Sequence, residues 1–202
     1  MKVAIFFGSK SDTDKMKKAA DVLNEFGIDY KAYILSAHRA GALLKQTVEQ
    51  VEKDGCEVII AGAGLAAALP GVIAGETVIP VIGVPLECVS EKSNGLGGMD
   101  ALLSIVQMPP QIPVATVGIG NAKNAGYLAA QILAIKYPEI KEKLKAFRAK
   151  LAEDAKANGL DVFKYFELLL TVLPSMTFLT NPDILEELLP WNSSVQKVCK
   201  AI

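Results

Sequence analysis

One arrangement recurs along this chain: a short, wholly apolar run stops at a turn of small residues and is followed by apolar positions at helical spacing. Val3-Ala4-Ile5-Phe6-Phe7 is such a run, Gly8-Ser9-Lys10-Ser11-Asp12 breaks it, and Met16, Ala19, Ala20, Leu23 and Phe26 then recur with the period of a helix. A strand apolar at every position has both faces buried, which is the pattern of a parallel sheet covered by helices. The arrangement returns at 30–35, followed by a helix at 42–53 with Leu43, Leu44, Val48 and Val51 on its buried side. Further strands are expected at 57–61, at 78–84 with Pro80 tolerated at the start, and at 114–119 after the stiff Pro109, Pro110 and Pro113 connection. A flexible glycine-rich loop at 90–98 precedes a short helix at 100–107 carrying Leu102, Leu103 and Val106, and an alanine-rich helix occupies 122–133. The expected fold class is α/β: an open parallel sheet of about five strands with helices on both faces.

The character changes near Tyr137. Residues 139–156 form a lysine- and glutamate-rich amphipathic helix with Ile140, Leu144, Phe147 and Leu151 as its apolar stripe. A second helical run at 162–173 is apolar on most sides, and a short one follows at 184–189. Two parts are therefore expected, an α/β domain at 1–136 and a helical extension at 137–202. The extension reads as an assembly element, because a helix apolar nearly all round must be covered. Hydrophobic residues make up 51% of the chain, and mean hydropathy is +0.31. Either the sheet is buried on both faces or much surface is buried between subunits. No apolar run reaches the roughly 18 residues of a membrane helix, and the N-terminal residues are unlike a signal peptide, so a cytoplasmic protein without a membrane partner is expected. The net charge of −1, with no basic block, argues against a nucleic-acid surface. Cys56, Cys88 and Cys199 are scattered and odd in number, which reads as reduced thiols without a structural metal.

Proton chemistry near neutral pH has one address, Ser36-Ala37-His38-Arg39, which holds the only histidine in 202 residues. A histidine with its ordinary pKa near 6.5 both gives and takes a proton at that pH. Arg39 beside it offers a planar fork suited to phosphate or carboxylate. The Gly8–Asp12 turn leaves backbone N–H groups at a helix start, where Ser9 and Ser11 add donors; a plain helix cap by Ser11 or Asp12 explains that turn equally well. Both turns follow strands, and ligands of open α/β sheets bind at the carboxyl ends of strands, so both should face one crevice. The third turn runs from Gly62 to Gly71, and its small residues imply close backbone approach. Gly62, Gly64 and Ala67 formally match a G-x-G-x-x-A dinucleotide fingerprint, with Glu87 as the ribose acceptor. Against that, Pro70 falls where the phosphate-binding helix should continue, and the fingerprint normally occupies the first turn of such a fold.

These turns, with Leu102-Leu103-Ser104-Ile105-Val106-Gln107-Met108-Pro109 and Lys123-Asn124-Ala125, closely resemble the purine-biosynthesis family of N5-carboxyaminoimidazole ribonucleotide mutases. That family is the catalytic-subunit type of phosphoribosylaminoimidazole carboxylase, and the likeness covers about residues 3–134. The resemblance implies a three-layer, flavodoxin- or Rossmann-like α/β/α fold, a homo-octamer with sites at subunit boundaries, and no metal or organic cofactor. It implies that Ser9, Ser11 and Asp12 bind a ribonucleotide, that Ser36 and Arg39 hold its phosphate, and that His38 is the acid and base. Gly62, Ala63, Gly64, Leu65 and Ala66 would cover the aminoimidazole and a released CO₂. In four respects the chain departs from the family pattern. Ala68 stands where most members carry a second histidine, Ala40-Gly41 replace a usual Thr-Pro, the 90–98 loop is longer, and the tail extends beyond the usual end. Three alternatives remain: a paralogous carboxylase or decarboxylase of another ribonucleotide, a direct aminoimidazole ribonucleotide carboxylase, and a non-catalytic nucleotide-binding module. Gly62-Ala63-Gly64 favours the mutase over the animal-type carboxylases, which typically have Gly-Arg-Ser there.

Overall fold

The computed structural model describes residues 2–90, 93–157, 161–173, 188 and 192–199. The chain divides into two units, residues 1–144 and 145–202. In the first, strands β1 (Val3–Phe7), β2 (Tyr30–Ile34), β3 (Val58–Gly64), β4 (Val81–Leu86) and β7 (Ala115–Thr116) form one all-parallel sheet in the order β2-β1-β3-β4-β7. Every residue of β1 and β4 is buried, as expected of strands covered on both faces. β2 is an edge strand and is half-exposed.

Helices α1 (Thr13–Phe26) and α5 (Ala122–Leu133) pack side by side on one face. They approach closely because Gly126 has no Cβ; one there would lie 2.8 Å from Val22 Cβ and 2.9 Å from the Ala19 carbonyl. The alanine-rich character of α5 is thus used against its own chain. On the opposite face α2 (Gly41–Lys53), α3 (Ala68–Glu76) and α4 (Met99–Val106) join Ala4, Phe6, Ile59 and Ala61 in a second core that includes Leu44, Val48, Val51, Ile73 and Ile105.

Several sequence expectations are corrected here. Leu43 is 53% exposed while Leu44 is buried, since adjacent helical positions point about 100° apart and only one can face the sheet. For the same reason Ala101 and Ile105, rather than Leu103 and Val106, form the buried side of α4. The fourth strand begins at Val81, not Val78: Pro80 has no N–H, although its carbonyl still accepts from Ile59 N at 3.0 Å. The fifth shrinks from 114–119 to Ala115–Thr116, paired to Ile82 and Gly83 alone. The 90–98 loop contains a small antiparallel pair, β5 (Val89–Ser90) with β6 (Ser93–Asn94).

Helix α6 (Pro138–Ala157) begins in the first unit, where Ile140 and Leu144 are buried. Further along, Leu151 is exposed and leaves the expected stripe. In the second unit, α7 (Val162–Val172) is capped by Asp161, whose side chain accepts from Phe163 N and Lys164 N. It leaves Phe163 and Leu170 79% and 75% exposed. The helix α8 (Ser193–Val198) follows, and the expected 184–189 helix lies outside the described residues apart from Leu188.

Candidate functional site

The sheet order reverses at β1, from which the chain crosses to β2 on one side and to β3 on the other. Phe7 is in register with both Ile34 and Gly62, so the segments after β1 and β2 and the end of β3 lie at one level of the sheet. That is the topological switch point where open α/β sheets hold ligands. A cleft of about 270 Å³ opens there, at the small end for ligand pockets and suited to a mononucleotide rather than a dinucleotide.

The first wall is the turn after β1. Ser9 accepts at its Oγ from Ser11 N at 3.3 Å and from Ser11 Oγ at 2.9 Å, which shapes the 3-10 turn Lys10–Asp12. Asp12 then opens α1 and is the one charged or polar side chain buried among the described residues. Loss of hydration pushes its carboxyl above the usual carboxylate range; the Lys15 charge and hydrogen bonds from the Ser9–Ser11 turn pull it back. The second wall is the turn after β2, closed by Arg39 N and Ala40 N donating to Ser36 O at 3.2 and 2.9 Å. Arg39 also donates from Nη2 to the Gly8 carbonyl at 3.3 Å, tying this turn to the end of β1, while His38 is exposed to the cleft. The third wall is the end of β3 and the start of α3. Leu65 and Ala67 take left-handed backbone (φ 55° and 30°), a conformation costing roughly 1–3 kcal/mol in a residue with a Cβ and concentrated at functional sites. Ala67 N donates to Gly64 O at 3.1 Å within this turn.

Nine of the eleven residues singled out in the sequence line this cleft: Ser9, Ser11, Asp12, Ser36, His38, Arg39, Ala63, Gly64 and Leu65. Gly62 and Ala66 do not. Gly62 is still inside β3, where Met16 Cε would lie 2.9 Å from an added Cβ, and Ala66 faces solvent. The dinucleotide fingerprint fails on the same ground, since its first glycine belongs to a strand and Glu87 is not in the cleft. Pro70 fits the first turn of α3, where a missing N–H is harmless. Sequence reasoning missed Cys88, which lines the cleft with its Sγ against Gly64; its place just after β4 was the available signal. Ala68, Ala67 and Leu69 complete a neutral wall. Beyond Arg39 a second, shallower groove adds Lys10 and Ile34. Among the described residues no group of three or more His, Cys, Asp or Glu side chains is placed to hold a metal ion.

An open parallel sheet with hydroxyls, a guanidinium, a carboxylate and a histidine around a mononucleotide-sized cleft at its switch point defines a nucleotide-binding α/β enzyme. The family model AIR carboxylase matches residues 2–154, and the chain belongs to that family. It is 60% identical over 147 residues to an N5-carboxyaminoimidazole ribonucleotide mutase of Pyrococcus abyssi, covering 73% of this chain and 82% of the relative. It is 51% identical over 170 residues to the Thermotoga maritima protein of the same name, covering 83% and 96% respectively. A crystal structure of Treponema denticola PurE superposes with a TM-score of 0.67 at 31% identity, covering 76% of this chain and 92% of that one.

Proposed function

We infer that this chain is an N5-carboxyaminoimidazole ribonucleotide mutase of purine biosynthesis, an isomerase that moves a carboxylate from the exocyclic nitrogen to C4 of the imidazole. The observation that carries the reading is the meeting of His38, Arg39, Asp12 and the three serines in one cleft of mononucleotide size. Arg39, Ser36 and the N–H groups of the first turn take the phosphate. Asp12 accepts from the ribose hydroxyls, with Ser9 and Ser11 beside it. His38, as imidazolium, gives a proton to the exocyclic nitrogen as the N–C bond breaks and CO₂ leaves. C4 then attacks CO₂, and His38, now imidazole, removes the C4 proton. One proton is given and one recovered, so a single histidine suffices. The backbone between Ala63 and Ala67 encloses the CO₂, with N–H groups in place of the carbamate's lost hydration.

The test is turnover: the protein incubated with N5-carboxyaminoimidazole ribonucleotide should change the ultraviolet spectrum at a rate proportional to enzyme. Conversion only from aminoimidazole ribonucleotide with added CO₂ would make it the direct carboxylase, and no change with either substrate would assign the cleft to another ribonucleotide or to binding alone.

The protein is further read as a homo-oligomer, an octamer, with the C-terminal helices as an assembly element. The exposed Phe163, Phe166 and Leu170 of α7 support this. A cytoplasmic location, expected from the scattered cysteines, belongs to the same reading; none of the described helices is long and apolar enough to cross a membrane.

A further inference from the structure

The loop after β4 reaches the cleft through Cys88, and its own return path lies directly behind that residue. In the β5–β6 pair Val89 is in register with Asn94 and Ser90 with Ser93. Carried one residue outward, the same register sets Gly95 opposite Cys88. The packing agrees: a Cβ added to Gly95 would lie 2.8 Å from the Cys88 carbonyl oxygen, 3.5 Å from Cys88 Cβ and 3.4 Å from Leu65 Cδ2. On the other side, a Cβ added to Gly64 would lie 2.9 Å from Cys88 Sγ and 3.0 Å from the Leu86 carbonyl oxygen. Cys88 is therefore held between two stretches of backbone that come this close because both are glycine. It cannot move away from one without pressing on the other. Cys88, Gly64 and Leu65 all line the cleft, whereas Gly95 does not. Gly95 thus stands behind the third wall, against the side chain of Leu65, one of the two residues there with left-handed backbone. Backbone strain of that kind persists only where the surroundings over-determine it, and Gly95 is part of those surroundings.

We propose that Gly95 is a positioning residue for the third wall: backing Cys88 and Leu65, it holds the turn after β3 where it retains CO₂ between its loss from nitrogen and its capture by C4. The inference rests on the mutase reading, in which the backbone between Ala63 and Ala67 encloses CO₂. Gly95 itself touches no reacting atom and moves no proton. A glycine needed only for folding of the loop would affect stability and leave the fate of CO₂ unchanged.

The experiment uses the full-length protein as wild type, Gly95→Ala, Cys88→Ala and Gly97→Ala. Ordinary C···O contact is about 3.3–3.6 Å, so a methyl at position 95 displaces the loop or the wall by roughly half an ångström or more. Gly97 lies in the same loop with φ 61°, but a Cβ there would meet nothing within 4 Å, so Gly97→Ala perturbs the loop without touching the wall. Each protein is given N5-carboxyaminoimidazole ribonucleotide, and the aminoimidazole ribonucleotide released per product formed is measured after subtracting decomposition without enzyme. That ratio should rise at least about fivefold in Gly95→Ala, with KM changed less than about twofold, because the phosphate and ribose are held on the other two walls. Cys88→Ala, which loosens the same packing without adding bulk, should raise the ratio too and reads the idea even if Gly95→Ala fails to fold. Gly97→Ala should match wild type. A wild-type ratio in Gly95→Ala or in Cys88→Ala overturns the proposal, as does an equal rise in Gly97→Ala, since general loosening of the loop would then suffice. Failure of the wild type itself to convert the substrate overturns the mutase reading and the retention of CO₂ with it, an outcome distinct from normal wild-type turnover with unresponsive variants.

Discussion

Replacing Asp12 by asparagine should make the protein more stable and a worse enzyme at once. The side chain is 7% exposed, and burial raises its carboxyl above the value it has in the unfolded chain. Between those two values the native state binds more protons than the unfolded one, so stability falls as pH rises through the window. At neutral pH the native state carries the full cost of an ionised, poorly hydrated carboxylate. That cost is a fraction of the price of complete burial, because Asp12 borders an open cleft and Lys15 offsets part of it. Asparagine has the same shape without the charge, and removing such a functional liability typically gains about 0.5–2 kcal/mol. In a chain of this length that corresponds to roughly 2–4 °C in Tm for each kcal/mol. The gain should shrink as pH falls towards about 3.9, where the unfolded carboxyl is itself protonated. The ribonucleotide meanwhile loses charge-assisted hydrogen bonds worth about 1.5–3 kcal/mol, so KM should rise roughly ten- to hundredfold. Thermal melts at several pH values and steady-state kinetics read both quantities. A variant that melts below wild type at neutral pH, or one that keeps its KM, refutes the reasoning.

His38→Asn should retain ribonucleotide binding by calorimetry while turnover falls at least ~10²-fold, the lower end for loss of a general acid–base; near-normal turnover would remove His38 from the mechanism. Arg39→Ala should raise KM more than it lowers kcat, because the proposed phosphate contact would be made in ground and transition state alike; a collapse of kcat at constant KM would mean a different role. Replacing Phe163 and Leu170 of α7 together with serine should lower the oligomeric mass measured by light scattering, each apolar side chain contributing on the order of 1.5–3 kcal/mol when buried; an unchanged subunit number would exclude α7 from assembly.

What could be read from the sequence follows from what is local. β1, α1 and α5 were legible because each is specified within its own window by an unbroken apolar run or a helical stripe. Nine cleft residues were legible because turns after parallel strands converge by topology, whatever the sheet's detailed packing. The failures are all long-range. Leu43 and Leu44 are equally apolar, and only the position of the sheet decides that Leu44 is the buried one. The shrinkage of the fifth strand depends on how much of β4 lies free to pair with it. Leu65 and Ala67 carry left-handed backbone that a sequence would lead one to assign to glycine, so the strained turn was invisible.

The distribution of charge around the cleft also bears on Ala68, which stands where most of the family carries a second histidine. The imidazole and guanidinium lie with Ser36 on the turn after β2, and the carboxylate of Asp12 lies with Ser9 and Ser11 on the turn after β1. The remaining wall, Ala63, Leu65, Ala67, Ala68 and Leu69, is neutral and largely apolar. A histidine in that wall would offer a second proton carrier and, when protonated, a charge attractive to bicarbonate. Neither is needed in the proposed mechanism, whose protons cancel through His38 and whose travelling intermediate is CO₂, a neutral molecule with no charge to pair. An alanine there leaves the proton inventory of the cleft, in the proposed mechanism, to one imidazole. The absence of the second histidine is therefore compatible with the proposed mutase chemistry, in which Arg39 would hold the phosphate and Asp12 the ribose.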